Sequence, residues 1–121
     1  MTNWGLGDDN RRYLGPKLTG IKRSNVDQLE LAWALAFPKV TDMRSQPAII
    51  GNTLYFGDKT GKLYAIDRQR GCVLRHTEVL SGIRSAITVI TSNEGVESLV
   101  FADSLASIFA VDPITLEVRW Q

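Results

Sequence analysis

The chain has 121 residues, 44% of them Ala, Val, Ile, Leu, Met, Phe, Trp, Tyr or Cys, which allows one globular domain built on a single compact core. No apolar run approaches the roughly 18 residues that cross a bilayer, and Met1-Thr2-Asn3-Trp4 leads straight into polar sequence, so neither a membrane span nor an intact secretory signal is expected. Fourteen basic residues against thirteen acidic ones leave a net charge of +1, without the electrostatic footprint of a nucleic-acid or anionic-membrane binder.

Residues 1–43 read as an N-terminal loop, a short helical turn and a strand. Gly and Pro punctuate the stretch from Trp4 to Thr19, which has no sustained hydrophobic period and reads as a wrapped loop. Ser24-Asn25 before Val26-Asp27-Gln28-Leu29 supplies a cap for one helical turn. Leu29, Leu31, Trp33 and Leu35 then alternate with smaller or polar residues, the pattern of a strand with one apolar face. That strand has no counterpart nearby and is expected to be the outer strand of another sheet.

From Arg44 onward the chain repeats itself. Arg44-Ser45-Gln46-Pro47-Ala48-Ile49-Ile50 lies over Arg84-Ser85-Ala86-Ile87-Thr88-Val89-Ile90 at an offset of 40. Leu54-Tyr55-Phe56-Gly57-Asp58 lies over Leu99-Val100-Phe101-Ala102-Asp103, and Leu63-Tyr64-Ala65-Ile66-Asp67 over Ile108-Phe109-Ala110-Val111-Asp112, both at an offset of 45. The five extra residues fall in the polar stretch 91–98, where a hairpin loop can grow without disturbing its strands. Strands are expected over 46–50, 53–57, 62–67 and 72–78 in the first unit and over 85–91, 97–102, 107–112 and 116–120 in the second. Asp58-Lys59-Thr60-Gly61 and Asp67-Arg68-Gln69-Arg70-Gly71 supply turns with glycine at the left-handed position, and Asp112-Pro113 starts the last turn.

A single cysteine, Cys72, and a single histidine, His76, remove most catalytic and metal constellations. No intrachain disulfide can form, and zinc would lack its usual complement of Cys and His ligands. On a strand the two residues face the same side about 13 Å apart, too far for a thiol and its base. No phosphate-cradling glycine motif is present, and the glycines near 57–61 are spaced for a hairpin.

A four-stranded antiparallel sheet of about 40 residues, repeated, is the sequence mark of a β-propeller. The fold class read here is all-β: blades at 44–83 and 84–121 plus the N-terminal strand, an incomplete β-propeller forming one structural domain. In detail the units resemble the repeat of pyrroloquinoline-quinone-dependent alcohol dehydrogenases, whose tryptophan-docking motif has Ala, Asp, Gly and Trp at fixed spacing. Ala65, Asp67 and Gly71 match it in the first unit, with Arg75 where the Trp should stand; Ala110, Asp112 and Trp120 match in the second, with Leu116 in the Gly position. The order Trp4, Asn10-Arg11, Ile21 to Leu29, Leu31-Ala32-Trp33, Gln46-Pro47 and Gly71-Cys72 is similar to the start of the polyvinyl-alcohol-dehydrogenase type.

The resemblance implies a quinone over the central channel, held through its carboxylates and a calcium ion, and it implies blade docking by Trp33, Ala65, Asp67, Gly71, Ala110, Asp112 and Trp120. Arg44 and Arg84, each at the head of its unit's first strand, are the candidates for cofactor carboxylates. Asp58, Asp67, Asp103 and Asp112 recur at turns, which favours capping duty over calcium or base chemistry. The chain has neither the adjacent Cys-Cys pair frequent at the family's cofactor floor nor a Cys-x-x-Cys-His haem motif. No catalytic residue and no metal ligand are assigned, and no cofactor is expected for the chain alone. Family members are often periplasmic; the compartment of this chain stays open.

Two functions remain: a non-catalytic blade module for self-assembly or partner binding, or the N-terminal part of a quinoprotein alcohol dehydrogenase that needs further blades. Residues 1–75 carry 12 basic and 7 acidic side chains and residues 76–121 carry 2 and 6, so head-to-tail contact would bring opposite charges together. A homo-oligomer is therefore expected, either a ring of three or four chains or a dimer, with no nucleic-acid or membrane partner.

Overall fold

The computed structural model describes residues 4–6 and 12–121. Its strands are β1 (Ala48–Ile50), β2 (Thr53–Gly57), β3 (Lys62–Asp67), β4 (Val73–Glu78), β5 (Thr88–Thr91), β6 (Glu97–Ala102), β7 (Ile108–Val111) and β8 (Val118–Trp120). They form two four-stranded antiparallel meanders, β1-β2-β3-β4 and β5-β6-β7-β8. The fold is all-β and propeller-like, as the repeat predicts. Among the described residues no helix is long and apolar enough to cross a membrane.

The register repeats between sheets as the strands do. Phe56 lies opposite Tyr64 in the first sheet and Phe101 opposite Phe109 in the second. A bulge follows Ala65 on β3 and Ala110 on β7. Strand starts fall later than predicted, at Ala48 after Pro47, which cannot donate to a ladder, and at Val118 after the positive-φ Leu116.

Each strand buries alternate side chains on opposite faces. The main core lies between the sheets, where Tyr55, Leu63 and Ala65 of the first meet Leu99, Phe101 and Phe109 of the second. Apolar burial of this kind contributes about 25 cal/mol per Å² and dominates the packing of one sheet on the next. A smaller cluster covers the opposite face of the first sheet, where Trp33 and Phe37 pack on Phe56, Tyr64 and Ile66.

The N-terminal segment differs from expectation in one element. Residues 29–35 are extended but belong to no sheet among the described residues. Alternation specifies a face, whereas a strand also needs a neighbour to take its backbone hydrogen bonds, and none of the eight described strands does so. The predicted helical turn is a 3-10 turn at Val26–Gln28. The wrapped loop contains a 3-10 turn at Trp4–Leu6 and a one-turn helix, α1 (Pro16–Thr19), ended by left-handed Gly20. Asn10 and Arg11 lie outside the described residues.

Candidate functional site

Residues 29–37 dock on the first sheet through Trp33 and Phe37. Asp67 Oδ1 accepts hydrogen bonds from the Gln69 and Arg70 amides at 2.9 and 2.8 Å, which winds the β3–β4 turn. The turn ends at Gly71, whose φ of 69° a β-carbon disfavours. Its missing side chain makes room for an indole: a β-carbon built there would lie 2.5 Å from Trp33 Cδ2. Trp33 Nε1 donates to the Arg68 carbonyl at 2.8 Å, fixing the ring across the turn. Phe37 extends the contact, its ring 5.1 Å from Phe56 and 4.6 Å from Tyr64.

The corresponding turn of the second sheet has the same backbone and a different filling. Asp112 Oδ1 accepts from the Ile114 and Thr115 amides at 2.7 and 2.9 Å, and the Leu116 amide closes back on the Asp112 carbonyl at 2.9 Å. Leu116 stands at φ 62°, where Gly71 stands at 69°. Its side chain is 1% exposed and belongs to the inter-sheet core. A leucine thus holds a left-handed backbone, at a cost of about 1–2 kcal/mol, because its side chain is buried there. Ala65 and Ala110 are buried in equivalent positions, opposite Arg75 and Trp120 respectively. Arg75 is exposed, and Trp120 is 49% exposed.

The turn aspartates are occupied with their own backbones. Besides its amide bonds, Asp112 pairs with Arg119, which also donates to the Glu97 carbonyl and the Ser98 hydroxyl. The Thr115 amide holds the Asp112 carboxyl below the usual range, as the Arg70 amide does for Asp67, each overcoming desolvation. Burial would push Asp58 up, but hydrogen bonds from the Thr60 hydroxyl, the Lys62 and Thr60 amides and the Tyr64 hydroxyl outweigh it and lower the group. Burial first, and Asp58 second, push the Tyr64 hydroxyl up to about 12.

The candidate cofactor arginines do not converge on a pocket. Arg44 Nε bonds Asp42 at 3.0 Å with its side chain 62% exposed, and Arg84 is exposed with no partner among the described residues. Among the described residues no three His, Cys, Asp or Glu side chains gather as a metal site. A quinone needs guanidinium groups converging on its carboxylates, and calcium needs a shell of oxygen ligands. Within the described residues this donor set fits neither group. His76 stacks on Tyr64 at 6.0 Å, and Cys72 is exposed beside the Arg70 carbonyl.

Three features escaped the sequence reading. The Ser of each Arg-Ser pair pins the second strand of its own sheet: Ser45 Oγ accepts from the Gly57 amide at 3.4 Å, and Ser85 Oγ from the Ala102 amide at 2.8 Å. The repeated dipeptide was visible, but its serine rather than its arginine carries the contact. Phe37 lies beyond the alternating run and gave no periodic signal. Among the described residues Asp103 Oδ2 is buried without a hydrogen-bond partner, because Phe109 stands where Tyr64 donates its hydroxyl to Asp58 Oδ2 at 3.0 Å.

No family model matches the chain. It is similar to two proteins described as polyvinylalcohol dehydrogenase, from Pseudomonas sp. and from Sphingopyxis sp. (strain 113P3), at 25% and 24% identity over 98% of this chain. The chain spans 18% of the length of each of those relatives. Among solved structures it is similar to BamB from Moraxella catarrhalis, with a TM-score of 0.54 and 21% identity over 65% of this chain and 24% of that one. These likenesses establish a relationship to quinoprotein-type β-propellers.

Proposed function

We propose that this relative of the quinoprotein-type propellers is a blade module, non-catalytic on its own, that works by docking its blades against further blades. The observation that carries the reading is the outward face of the second sheet, where Ile90, Ile108 and Trp120 are 43%, 54% and 49% exposed. The equivalent face of the first sheet is buried against its neighbour. Propeller blades gain their stability from such face-to-face burial on both sides. In this reading Trp33, Asp67 and Gly71 form one docking junction, Ala65 and the turn that starts at Asp112 meet between the two sheets, and Ala110 and Trp120 present half of the next. Light scattering on a sizing column tests it. A species above single-chain mass at micromolar concentration is expected, and a stable, well-folded single chain that binds no other blade would overturn it.

The two sequence matches favour a second reading, in which the chain contributes to an alcohol-oxidising quinoprotein. Adding pyrroloquinoline quinone and calcium separates the two. The module reading expects no cofactor absorption band and no dye reduction with alcohols, since site groups from several blades must converge before binding can be used for catalysis. Stoichiometric uptake with calcium-dependent turnover would establish the second reading instead.

A further inference from the structure

The segment Leu29-Glu30-Leu31-Ala32-Trp33 repeats the pattern of Leu116-Glu117-Val118-Arg119-Trp120, the end of the last turn and strand β8, residue for residue in type at three positions and closely at a fourth. In the second sheet those last residues pair with β7, Trp120 opposite Ala110. Residues 29–35 have no such ladder among the described residues, yet Trp33 already occupies the turn of the sheet that follows it. The segment therefore matches the pattern of a fourth strand with a docked tryptophan, and it pairs with no sheet among the described residues.

The face beside it is incomplete in the matching way. Leu54, Phe56, Tyr64 and Ile66 of the first sheet correspond to Leu99, Phe101, Phe109 and Val111 of the second. The second set is covered by a whole sheet face, including Tyr55 and Leu63, whereas among the described residues the first packs against Trp33 and Phe37 of the N-terminal segment and against no second sheet. Between them an apolar cavity of about 260 Å³ opens, lined by Trp33, Leu35, Met43, Pro47, Phe56 and Ile66. The residues that correspond to Tyr55 and Leu63 are Val100 and Ile108, on the open face of the second sheet.

We infer that a second copy of this chain fills both vacancies, with residues 29–35 of one copy replacing β8 on β7 of the next and the open face of that second sheet packing over the cavity. This rests on the blade-module reading and specifies its partner. Strand β8 is suited to exchange, being three residues long, at a sheet edge and exposed throughout. Exchange leaves Trp33 on its own turn, so the copies join head to tail, and the basic part of one chain meets the acidic part of its neighbour. Arg119 opposes exchange, because its bonds to Asp112, Glu97 and Ser98 tie β8 down and Ala32 cannot replace them.

The register supplies the test. With Trp33 in the place of Trp120, Leu35 of one copy falls opposite Ile108 of the other, whereas within one chain these residues lie on opposite sides of the two sheets. In a Cys72→Ser background, Leu35→Cys with Ile108→Cys should give a ladder of intermolecular disulfides on oxidation, and either cysteine alone no more than dimers. Arg119→Ala should raise the mass-average size by light scattering at a given concentration, and Ala32→Pro should lower it toward the single chain. Oligomers that persist in Ala32→Pro and form no ladder would overturn strand exchange while leaving the module reading intact. A single-chain mass in every variant, with no cross-link, would overturn the second copy as occupant.

Discussion

The two sheets are built on one plan and differ in how they fill and satisfy it. The stacked ring pair is nearly identical, Phe56 with Tyr64 at 5.4 Å and 20°, Phe101 with Phe109 at 5.5 Å and 19°. So are the hairpin turns beneath, where the Asp58 and Asp103 amides bond the Lys62 and Ser107 carbonyls at 2.9 and 3.0 Å. At the junction turns, however, an indole from outside the sheet lies on Gly71, while Leu116 fills the corresponding space with its own side chain. Backbone geometry repeats more faithfully than the choice of residue that plugs it. Arg75 and Leu116 therefore read as one coupled change: a leucine at the turn makes an indole from the preceding sheet unnecessary.

The largest effect is expected at that plug. Leu116→Ala should cost about 2–5 kcal/mol in chemical denaturation, since it empties a fully buried site and keeps the left-handed backbone. Arg75→Trp alone should lower the melting temperature or leave it unchanged, because the leucine holds the slot. In a Leu116→Gly background the same indole has a turn like that under Trp33, and should recover about 1–3 kcal/mol as coupling between the two sites. Additive effects would break the comparison, showing that position 75 does not address the 112–116 turn.

Much of this was legible in the chain. The offsets of 40 and 45 place both meanders, and all eight strands fall within their predicted spans. Turn aspartates and left-handed glycines follow from local chemistry, and Gly61 and Gly71 have φ of 97° and 69°. What could not be read is non-local. A left-handed Leu116 contradicts every local preference and makes sense only once its side chain is seen in the inter-sheet core. Likewise the alternation of residues 29–35 specified an apolar face but not that the segment pairs with no sheet among the described residues.

A middle-sized effect is expected at the hydroxyl that distinguishes the ring pairs. Tyr64→Phe removes the donor to Asp58 Oδ2 and should cost about 1.5–3 kcal/mol, the range for a hydrogen bond to a charged group. Phe109→Tyr places a hydroxyl where Asp103 Oδ2 has no partner and should stabilise the protein by up to about the same amount. Each variant converts one sheet into the other's pattern, so the signs should be opposite. Equal loss in both would mean that the second sheet has no room for the hydroxyl and that the ring pairs are less alike than their geometry.

The smallest effects are in the pH dependence, and here too the sheets should separate. Asp58, Asp67 and Asp112 all titrate below their usual value of 3.8 in the folded chain. Their stabilisation is present above that value and is lost as pH falls through the lowered ones, so melting temperature should decline in acid below about pH 4. Both sheets contribute to that limb, and Asp58→Asn should flatten it only in part. Tyr64 behaves oppositely: raised from 10.0 to about 12, it adds stability below pH 10 that is lost as pH rises from 10 toward 12. Phe109 has no proton to lose, so this alkaline limb belongs to the first sheet. Tyr64→Phe should shrink it and Phe109→Tyr should enlarge it, read as the difference in melting temperature between pH 9 and pH 11. An alkaline limb unchanged by both substitutions would assign it elsewhere, first to Tyr55, whose hydroxyl burial also raises.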